Sequence, residues 1–319
     1  MLRMWIATAL FFAFAPALAS SPYRGPIIDM HMHSYGSSTD TVNPPNPVTG
    51  EKPTISAGSN HMTACLQTMK QHHVVLGVVN AGDEDVASAL AWHDADPGRI
   101  IAGVGFDGSA ARPVPDIARL STDVTAGRYK VMGEIGAEYA GKSLSDPVYE
   151  PILALAEKYD LPVGVHTGIS APGTSYDPCC RSFRTVYGNP QSIEEALNRH
   201  PKLRIYLMHA GWPYTQETVA IMSLYPQVYA DLAVIDWIIP REEFHAHLRA
   251  LIRAGLGKRL MFGSDQMRWP QAIGMAIEGV DSATFLTDEQ KQDIFCRNAG
   301  RFLRLKGAAN PCASGTARH

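Results

Sequence analysis

Short runs of β-branched and small apolar residues alternate with longer amphipathic segments along almost the whole chain after residue 20. The apolar runs have the length of strands and predict eight of them, over residues 27–33, 74–80, 100–106, 131–137, 162–167, 204–210, 228–234 and 260–265. The amphipathic segments predict helices over residues 83–92, 114–125, 148–159, 193–199, 215–224, 241–254 and 288–305. Strands and helices that alternate in this order are typical of βαβ units with a parallel sheet.

Eight such units in one run predict a single-domain (β/α)8 TIM barrel over residues 20–319. A doubly wound open sheet is the competing architecture. It is disfavoured because no Gly-x-Gly-x-x-Gly turn follows an early strand, and because polar strand ends recur around the whole set. Segments rich in turn residues follow the first and fifth strands, over residues 34–56 and 168–191. In a barrel, loops at this end of the strands usually grip the substrate.

The first residues form a separate apolar segment. Arg3 precedes an apolar run, and the small residues Ala17 and Ala19 follow that run. This pattern predicts a secretory signal peptide over residues 1–19, because the run is too short to span a bilayer. An uncleaved membrane anchor is the alternative. We therefore expect a periplasmic or secreted protein with no membrane attachment after cleavage.

Composition and charge narrow the choice of partners. The chain has 28 Lys and Arg against 31 Asp and Glu, a formal net charge of −3, so it offers no basic surplus for nucleic acid. With 45% hydrophobic and 18% charged residues it is an ordinary globular chain. We expect a small-molecule substrate and no nucleic-acid partner, and a homo-oligomer is compatible with this composition.

The chain has five cysteines, an odd number, and export would allow some of them to form disulfides. Cys296 lies in the last predicted helix and Cys312 in the tail behind it, so a bridge between them could hold the C-terminus. Cys179 and Cys180 are adjacent and could bridge only as a strained ring, which we expect less. Both pairings stay open at this point.

Two histidines of the first predicted strand, His31 and His33, lie two residues apart. Because side chains on a strand alternate with period two, both imidazoles and the carboxylate of Asp29 project from one face. Two imidazoles at the end of a strand can share a divalent metal ion at a Zn–N distance of ~2.0–2.1 Å. Alone, such a pair is equally compatible with histidines that have other hydrogen-bond partners.

Four further predicted strands end in residue types that bind metals, namely Glu134, His166, His209 and Asp265. In a barrel these ends converge on one rim, so all six side chains would face a common centre. The alternative is six unrelated buried polar residues. Each of them would then need its own hydrogen-bond partner inside an apolar barrel.

The motifs His-x-His, Gly-Glu-Ile-Gly, His-Thr-Gly, His-Ala-Gly and Gly-Ser-Asp occur in this order. Together they resemble the amidohydrolase superfamily of metal-dependent barrel enzymes, in particular its amidohydrolase-related branch (amidohydrolase 2), over about residues 27–305. The resemblance implies a metal site with the ligands His31, His33, Glu134, His166, His209 and Asp265.

In the two-metal arrangement of that superfamily, the first-strand pair shares one ion with Asp265, the other two histidines hold a second ion, and Glu134 bridges them. In several single-metal relatives the sixth-strand histidine, here His209, instead polarises the substrate or activates water. The number of ions stays open, and we favour two. Zinc suits imidazole and carboxylate ligands best, although Mn²⁺, Fe²⁺ or Ni²⁺ could occupy the site.

The resemblance also implies a reaction. We expect a metal-dependent hydrolase that cleaves a C–O or C–N bond of an ester, lactone or amide, since a bound divalent ion lowers the pKa of water from ~15.7 toward ~7. Asp265 and His209 are the expected catalytic residues, with Asp265 moving the proton from the water to the leaving group. The alternatives are a metal-dependent decarboxylase of an aromatic or unsaturated acid, and an exported protein that only sequesters a metal or binds a ligand.

Candidate substrate-binding residues lie in the segments after the fifth and sixth strands. Arg181 or Arg184 could hold a substrate carboxylate through two parallel hydrogen bonds, with Tyr187 nearby. Trp212 could form a pocket wall. The alternative for the arginines is a solvated position or a local ion pair, and for Trp212 a packing role.

Overall fold

A computed structural model of the protein describes residues 22–35, 50, 59–82, 85 and 87–312. The predicted signal peptide lies outside these residues, and so does most of the loop predicted over residues 34–56. Among the helices of the described residues, none combines the length and the apolar character that a membrane span requires.

The described strands form one parallel sheet whose spatial order follows the chain order from the first strand to the eighth. They are β1 (Ile27–Ser34), β2 (Val74–Ala81), β3 (Ile100–Phe106), β4 (Val131–Ile135), β5 (Pro162–Val165), β6 (Arg204–Leu207), β7 (Tyr229–Asp231) and β8 (Leu260–Met261). Two backbone hydrogen bonds join the chain after β8 to β1, from Met30 N to Phe262 O and from Asp265 N to His31 O. The predicted (β/α)8 barrel is therefore confirmed, and the open-sheet alternative is wrong.

Helices follow the strands as the pattern predicted. The described helices are α1 (Ser59–Gln71), α2 (Ser88–Ala95), α3 (Ile117–Thr125), α4 (Glu150–Lys158), α5 (Glu194–Arg199), α6 (Thr215–Leu224), α7 (Ile235–Ile238), α8 (Arg241–Arg253), α9 (Ala272–Asp281), α10 (Asp288–Gln292) and α11 (Asn298–Phe302). Each of the seven predicted helices has a counterpart, and α10 begins at a capping box between Thr287 and Gln290. A π-helical turn, Asp293–Arg297, joins α10 to α11 where one helix was predicted.

Three described helices were not predicted. The segment of α1 mixes polar and apolar residues with little contrast, and α9 carries two glycines, which lower the helix propensity of an otherwise apolar run. The helix α7 is only four residues long. In each case packing on the barrel stabilises a helix that the local sequence does not predict.

Several strands are shorter than predicted, and the difference falls at the candidate ligands. The prediction carried the sixth strand through His209 and the eighth through Asp265, but β6 ends at Leu207 and β8 at Met261. The backbone φ is +62° at His209 and +43° at Asp265, so both residues adopt the left-handed region and leave the ladder of the sheet. Such conformations cost ~1–3 kcal/mol each and are typical of functional sites.

Both disulfides that the sequence allowed are present. Cys296 is bonded to Cys312, the pairing that we favoured, and Cys179 is bonded to its neighbour Cys180, which we expected less. The remaining cysteine, Cys65, is free and buried. The first bridge joins the last helical segment to the tail beside a buried apolar cluster that includes Phe302.

Opening the Cys296–Cys312 bridge should destabilise the fold. The bridge joins residues 16 positions apart, so its loss in Cys312→Ser restores chain entropy to the unfolded state and lowers the free energy of unfolding by about 3 kcal/mol. Cys179→Ser is the control, because a bridge between adjacent residues closes almost no loop. Urea unfolding followed by circular dichroism measures both, and equal stabilities of the two variants would contradict the role of the bridge.

Candidate metal centre

Four imidazoles surround the carboxylate of Glu134 at the carboxyl ends of the strands. One carboxylate oxygen, Oε2, lies 3.8 Å from His31 Nε2 and 3.4 Å from His33 Nε2. The other, Oε1, lies 3.9 Å from His166 Nε2 and 3.7 Å from His209 Nε2. Each oxygen thus faces one pair of histidines, which is the arrangement of a carboxylate that bridges two metal positions.

Asp265 belongs to the first-strand pair. Its Oδ1 atom lies 3.0 Å from His33 Nε2 and 3.9 Å from His31 Nε2. The structure therefore brings all six candidate ligands together. Three groups in this region have ligand atoms close enough to hold one ion, namely His31 with His33 and Glu134, Glu134 with His166 and His209, and His31 with His209 and Asp231.

The Nδ1 atoms of three ligand histidines face acceptors on the side away from Glu134. His166 Nδ1–H donates to Glu138, His209 Nδ1–H donates to the carbonyl of Ala233 at 3.0 Å, and His31 Nδ1 lies 3.3 Å from Asp231 Oδ2. For His166 and His209 the acceptor at Nδ1 keeps the proton there, so the Nε2 lone pair is available to a cation.

Side chains that touch the backbone hold the first-strand ligands in place. Asp29 Oδ1 accepts hydrogen bonds from His31 N at 3.0 Å and Ser264 N at 2.9 Å. The amide of Gln266 pairs with both backbone groups of His33, accepting from its N at 3.0 Å and donating to its O at 2.6 Å. These contacts tie β1 to the segment that carries Asp265, so the ligands from opposite ends of the chain form one rigid unit.

The electrostatics of the cluster favour ionised carboxylates and a compensating positive charge. Burial favours neutral forms, yet His31 and His33 lower the pKa of Asp265 to about 2, and His209, His31 and His166 lower the pKa of Glu134. Burial also acts to lower the pKa of His31, but Asp265, Asp231 and Glu134 together raise it well above its usual value.

The donor set fits a divalent metal. His31 Nε2 and His33 Nε2 are only 3.2 Å apart, a distance at which two nitrogen lone pairs repel unless a proton or a cation lies between them. Asp265 Oδ1 is buried without a hydrogen-bond partner, and it faces the same point. Buried imidazole nitrogens and carboxylates that converge in this way are typical zinc or first-row metal ligands.

Two cavities meet at this centre. A polar lobe of about 200 Å³ includes Tyr35, Gly82 and Arg112, and a larger apolar lobe of about 390 Å³ includes Ile169 and Trp212. The residues that line both lobes are Tyr139, His166, His209, Asp265 and Met267. Three candidate ligands, His166, His209 and Asp265, therefore belong to the lining of both lobes.

The candidate substrate residues are placed unevenly. Trp212 lines the apolar lobe. Arg181, Arg184 and Tyr187 are exposed and do not belong to the described lining of either lobe. The guanidinium of Arg184 donates to the backbone carbonyls of Arg181 at 2.8 Å and Phe183 at 2.7 Å.

The sequence analysis missed the residues that support the ligands. Asp231 is the last residue of β7. The criterion that identified Glu134 and Asp265, a metal-binding residue type near the end of an apolar strand, would have found it as well. Glu138 lies in a 3₁₀ turn after β4, where no local pattern marks it. Arg112 and Gln266 likewise carry no signal, because their roles depend on contacts with distant segments.

Comparison with known proteins identifies the family. The family model described as amidohydrolase matches residues 28–305. A curated relative, the protein fluG of Emericella nidulans, is 24% identical over 159 residues, which are 45% of this chain and 17% of that protein. The chain therefore spans only a small part of the length of that relative.

Solved structures share the fold at low identity. A probable 2-pyrone-4,6-dicarboxylic acid hydrolase from Acinetobacter baumannii, with citric acid bound, has a TM-score of 0.61 at 12% identity, over 87% of this chain and 99% of its own. The 2,6-dihydroxybenzoate decarboxylase from Rhizobium has a TM-score of 0.60 at 16% identity, over 89% and 100%. An uncharacterized TIM-barrel protein from Bordetella bronchiseptica reaches 0.64 at 18% identity, over 88% and 98%.

Removing the charge of Glu138 should weaken metal binding without removing a ligand. In Glu138→Gln the acceptor of His166 Nδ1–H becomes neutral, so we expect metal affinity to fall about 10–100-fold. Titration of the metal-loaded protein with a competing chelator measures this change. Glu278→Gln, at an exposed position of α9, is the matched control, and equal affinities of the two variants would show that Glu138 does not support the site.

Proposed function

This chain belongs to the amidohydrolase family, and we propose that it is an exported hydrolase that cleaves an ester, lactone or amide bond of a small molecule with the help of zinc. It is an enzyme of the metal-dependent hydrolase type. The observation that carries the proposal is the position of Glu134, each of whose oxygens faces one pair of imidazoles beside a cavity that a small molecule could enter.

We assign the metal to the six converging side chains. His31, His33 and Asp265 would hold one ion, His166 and His209 a second, and Glu134 would be shared. When bound, a divalent ion lowers the pKa of water and polarises a substrate carbonyl, which is the chemistry that hydrolysis at neutral pH requires. The protein supplies the fixed ligand geometry and the cavity.

Asp265 is our candidate for proton transfer. It lines both lobes beside the first-strand histidines, so it is placed to accept a proton from an attacking water and return it to the leaving atom. The imidazole of His209 also lines both lobes, and its ring orientation is fixed by the carbonyl of Ala233. In a site with a single ion, His209 Nε2 would instead be free to contact the reacting carbonyl.

Tyr139 is a candidate hydrogen-bond donor to the substrate. Its hydroxyl donates to Ser170 Oγ at 2.9 Å and lies 3.4 Å from His166 Nε2, at the junction of the two lobes. Burial raises the pKa of this phenol above its usual value, so it stays protonated at neutral pH. Rotation of the hydroxyl toward a bound substrate oxygen would stabilise negative charge there.

A decarboxylase is the alternative function, since similar barrels include the 2,6-dihydroxybenzoate decarboxylase from Rhizobium. That reaction releases carbon dioxide and consumes no water overall. A screen of esters, lactones and amides, read by chromatography of the acid product, together with aromatic and unsaturated acids, read by carbon dioxide release, separates the two. Turnover in the second panel alone would replace our proposal with the alternative.

Metal content and hydrolysis should be lost together when the first-strand ligands are removed. We expect two ions per chain in the wild type by elemental analysis, and loss of metal and of hydrolysis in the double variant His31→Ala with His33→Ala. His72→Ala is the control, because His72 is exposed on the outside of the barrel. Hydrolysis that survives the double change would contradict the mechanism. One ion per chain would show that Glu134 is not shared between two ions.

We also propose export through the N-terminal signal peptide, with periplasmic or extracellular location and no nucleic-acid partner. When the full sequence is expressed in a bacterium with two membranes, the intact mass should correspond to a chain that begins at Ser20, and the protein should lie in the periplasmic fraction. Leu10→Arg interrupts the apolar run and should keep the protein in the cytoplasm. A soluble cytoplasmic chain of full mass in the wild type would contradict export.

A further inference from the structure

The two lobes differ in the chemistry of the ligand that they can hold. Apart from the candidate metal ligands, the lining of the apolar lobe includes Ile169, Pro172, Ile235, Ile238 and Ile239. A cavity of about 390 Å³ with such walls suits a hydrocarbon group and gives it few hydrogen-bond partners. The polar lobe shares His209 and Asp265 with the apolar lobe, and its lining includes an arginine.

That arginine, Arg112, is held in a fixed position. Asp107 N and Gly108 N both donate to its carbonyl, at 3.2 and 2.9 Å, so the turn after β3 closes tightly on it. Its Nη2 atom donates to the carbonyl of Ala81 at 3.2 Å. The guanidinium therefore enters the polar lobe from a rigid turn and does not move freely.

The guanidinium of Arg112 has unused binding capacity. Its Nε atom is buried and has no hydrogen-bond partner. Among the residues that the structure describes, no carboxylate oxygen lies within 4.0 Å of it. A partly buried guanidinium without an anion is costly, and the planar fork of its donors matches a carboxylate.

Resting on the proposed function, we propose that the substrate is a carboxylic acid with an apolar acyl group, joined through the ester or amide bond that is cleaved. Its carboxylate binds Arg112 in the polar lobe, and its hydrocarbon part fills the apolar lobe. The scissile bond then lies between the lobes, where His166, His209 and Asp265 line both cavities.

Alkoxyacetates test this assignment, because a methylene replaces the carbonyl of the corresponding acyloxyacetate and the compounds cannot be hydrolysed. Calorimetric titration of the zinc-loaded protein with methoxy-, propoxy- and pentyloxyacetate should show affinity rising about threefold to fourfold per added methylene. The 2-alkoxyethanols of the same alkyl groups lack the charge. They should bind more weakly at every length.

Two variants separate the two ends of the ligand. Arg112→Gln should lower the affinity for every alkoxyacetate about tenfold to hundredfold and leave that of the alkoxyethanols unchanged. Ile239→Asn should flatten the dependence on alkyl length and leave methoxyacetate binding unchanged. Arg119→Gln and Leu224→Asn, a matched and a closely similar change at exposed positions of α3 and α6, should behave as the wild type. Circular dichroism verifies that all four variants fold.

The outcomes distinguish this inference from the proposed function. Unchanged alkoxyacetate affinity in Arg112→Gln, an unchanged length dependence in Ile239→Asn, or no binding of any alkoxyacetate to the wild type would overturn it. The ligands do not react, so the expected binding pattern without hydrolysis in the ester and amide panel would retain the ligand class and reject the hydrolase. Hydrolysis in the ester and amide panel, together with an alkoxyacetate affinity that Arg112→Gln leaves unchanged, would retain the hydrolase and reject the ligand class.

Discussion

The position of one carboxylate, Glu134, between four imidazoles is the constraint on which the rest of the centre depends. A carboxylate and several histidines so close together are stable only when charges and protons are shared in one definite way. The acceptors behind two of the imidazoles set that arrangement, because Glu138 and the carbonyl of Ala233 direct the Nε2 atoms of His166 and His209 inward. A divalent cation completes the charge balance.

The barrel makes this cluster rigid. Asp29 and Gln266 bind the backbone of β1 to the segment after β8, so the first and last ligands of the chain move as one unit. Left-handed backbone at His209 and Asp265 stores strain, which the surrounding hydrogen bonds hold in place. The same turns end β6 and β8 early.

The two lobes differ in chemistry, so they would hold different ends of a substrate. The arginine belongs to the polar lobe and the hydrocarbon walls to the apolar lobe, and both lobes include ligands that would act on a substrate. A bound molecule would be held by its ends, with its reactive bond near Asp265, and holding a substrate in a near-reactive position is a large part of catalysis. The residues that would select the substrate thus differ from those that would act on its reactive bond.

The alternation of strand and helix patterns was enough to predict the eight-stranded barrel, and the residue types at five strand ends were enough to predict all six candidate ligands, because both are local properties of the chain. The partners of those ligands were not predictable in this way. Glu138, Gln266 and Arg112 carry no local pattern, and the exposed positions of Arg181 and Arg184 follow from how their loop packs. Contacts between residues far apart in sequence exist only once the barrel closes, and for that reason the geometry of the centre and the chemistry of its lobes belong to the fold.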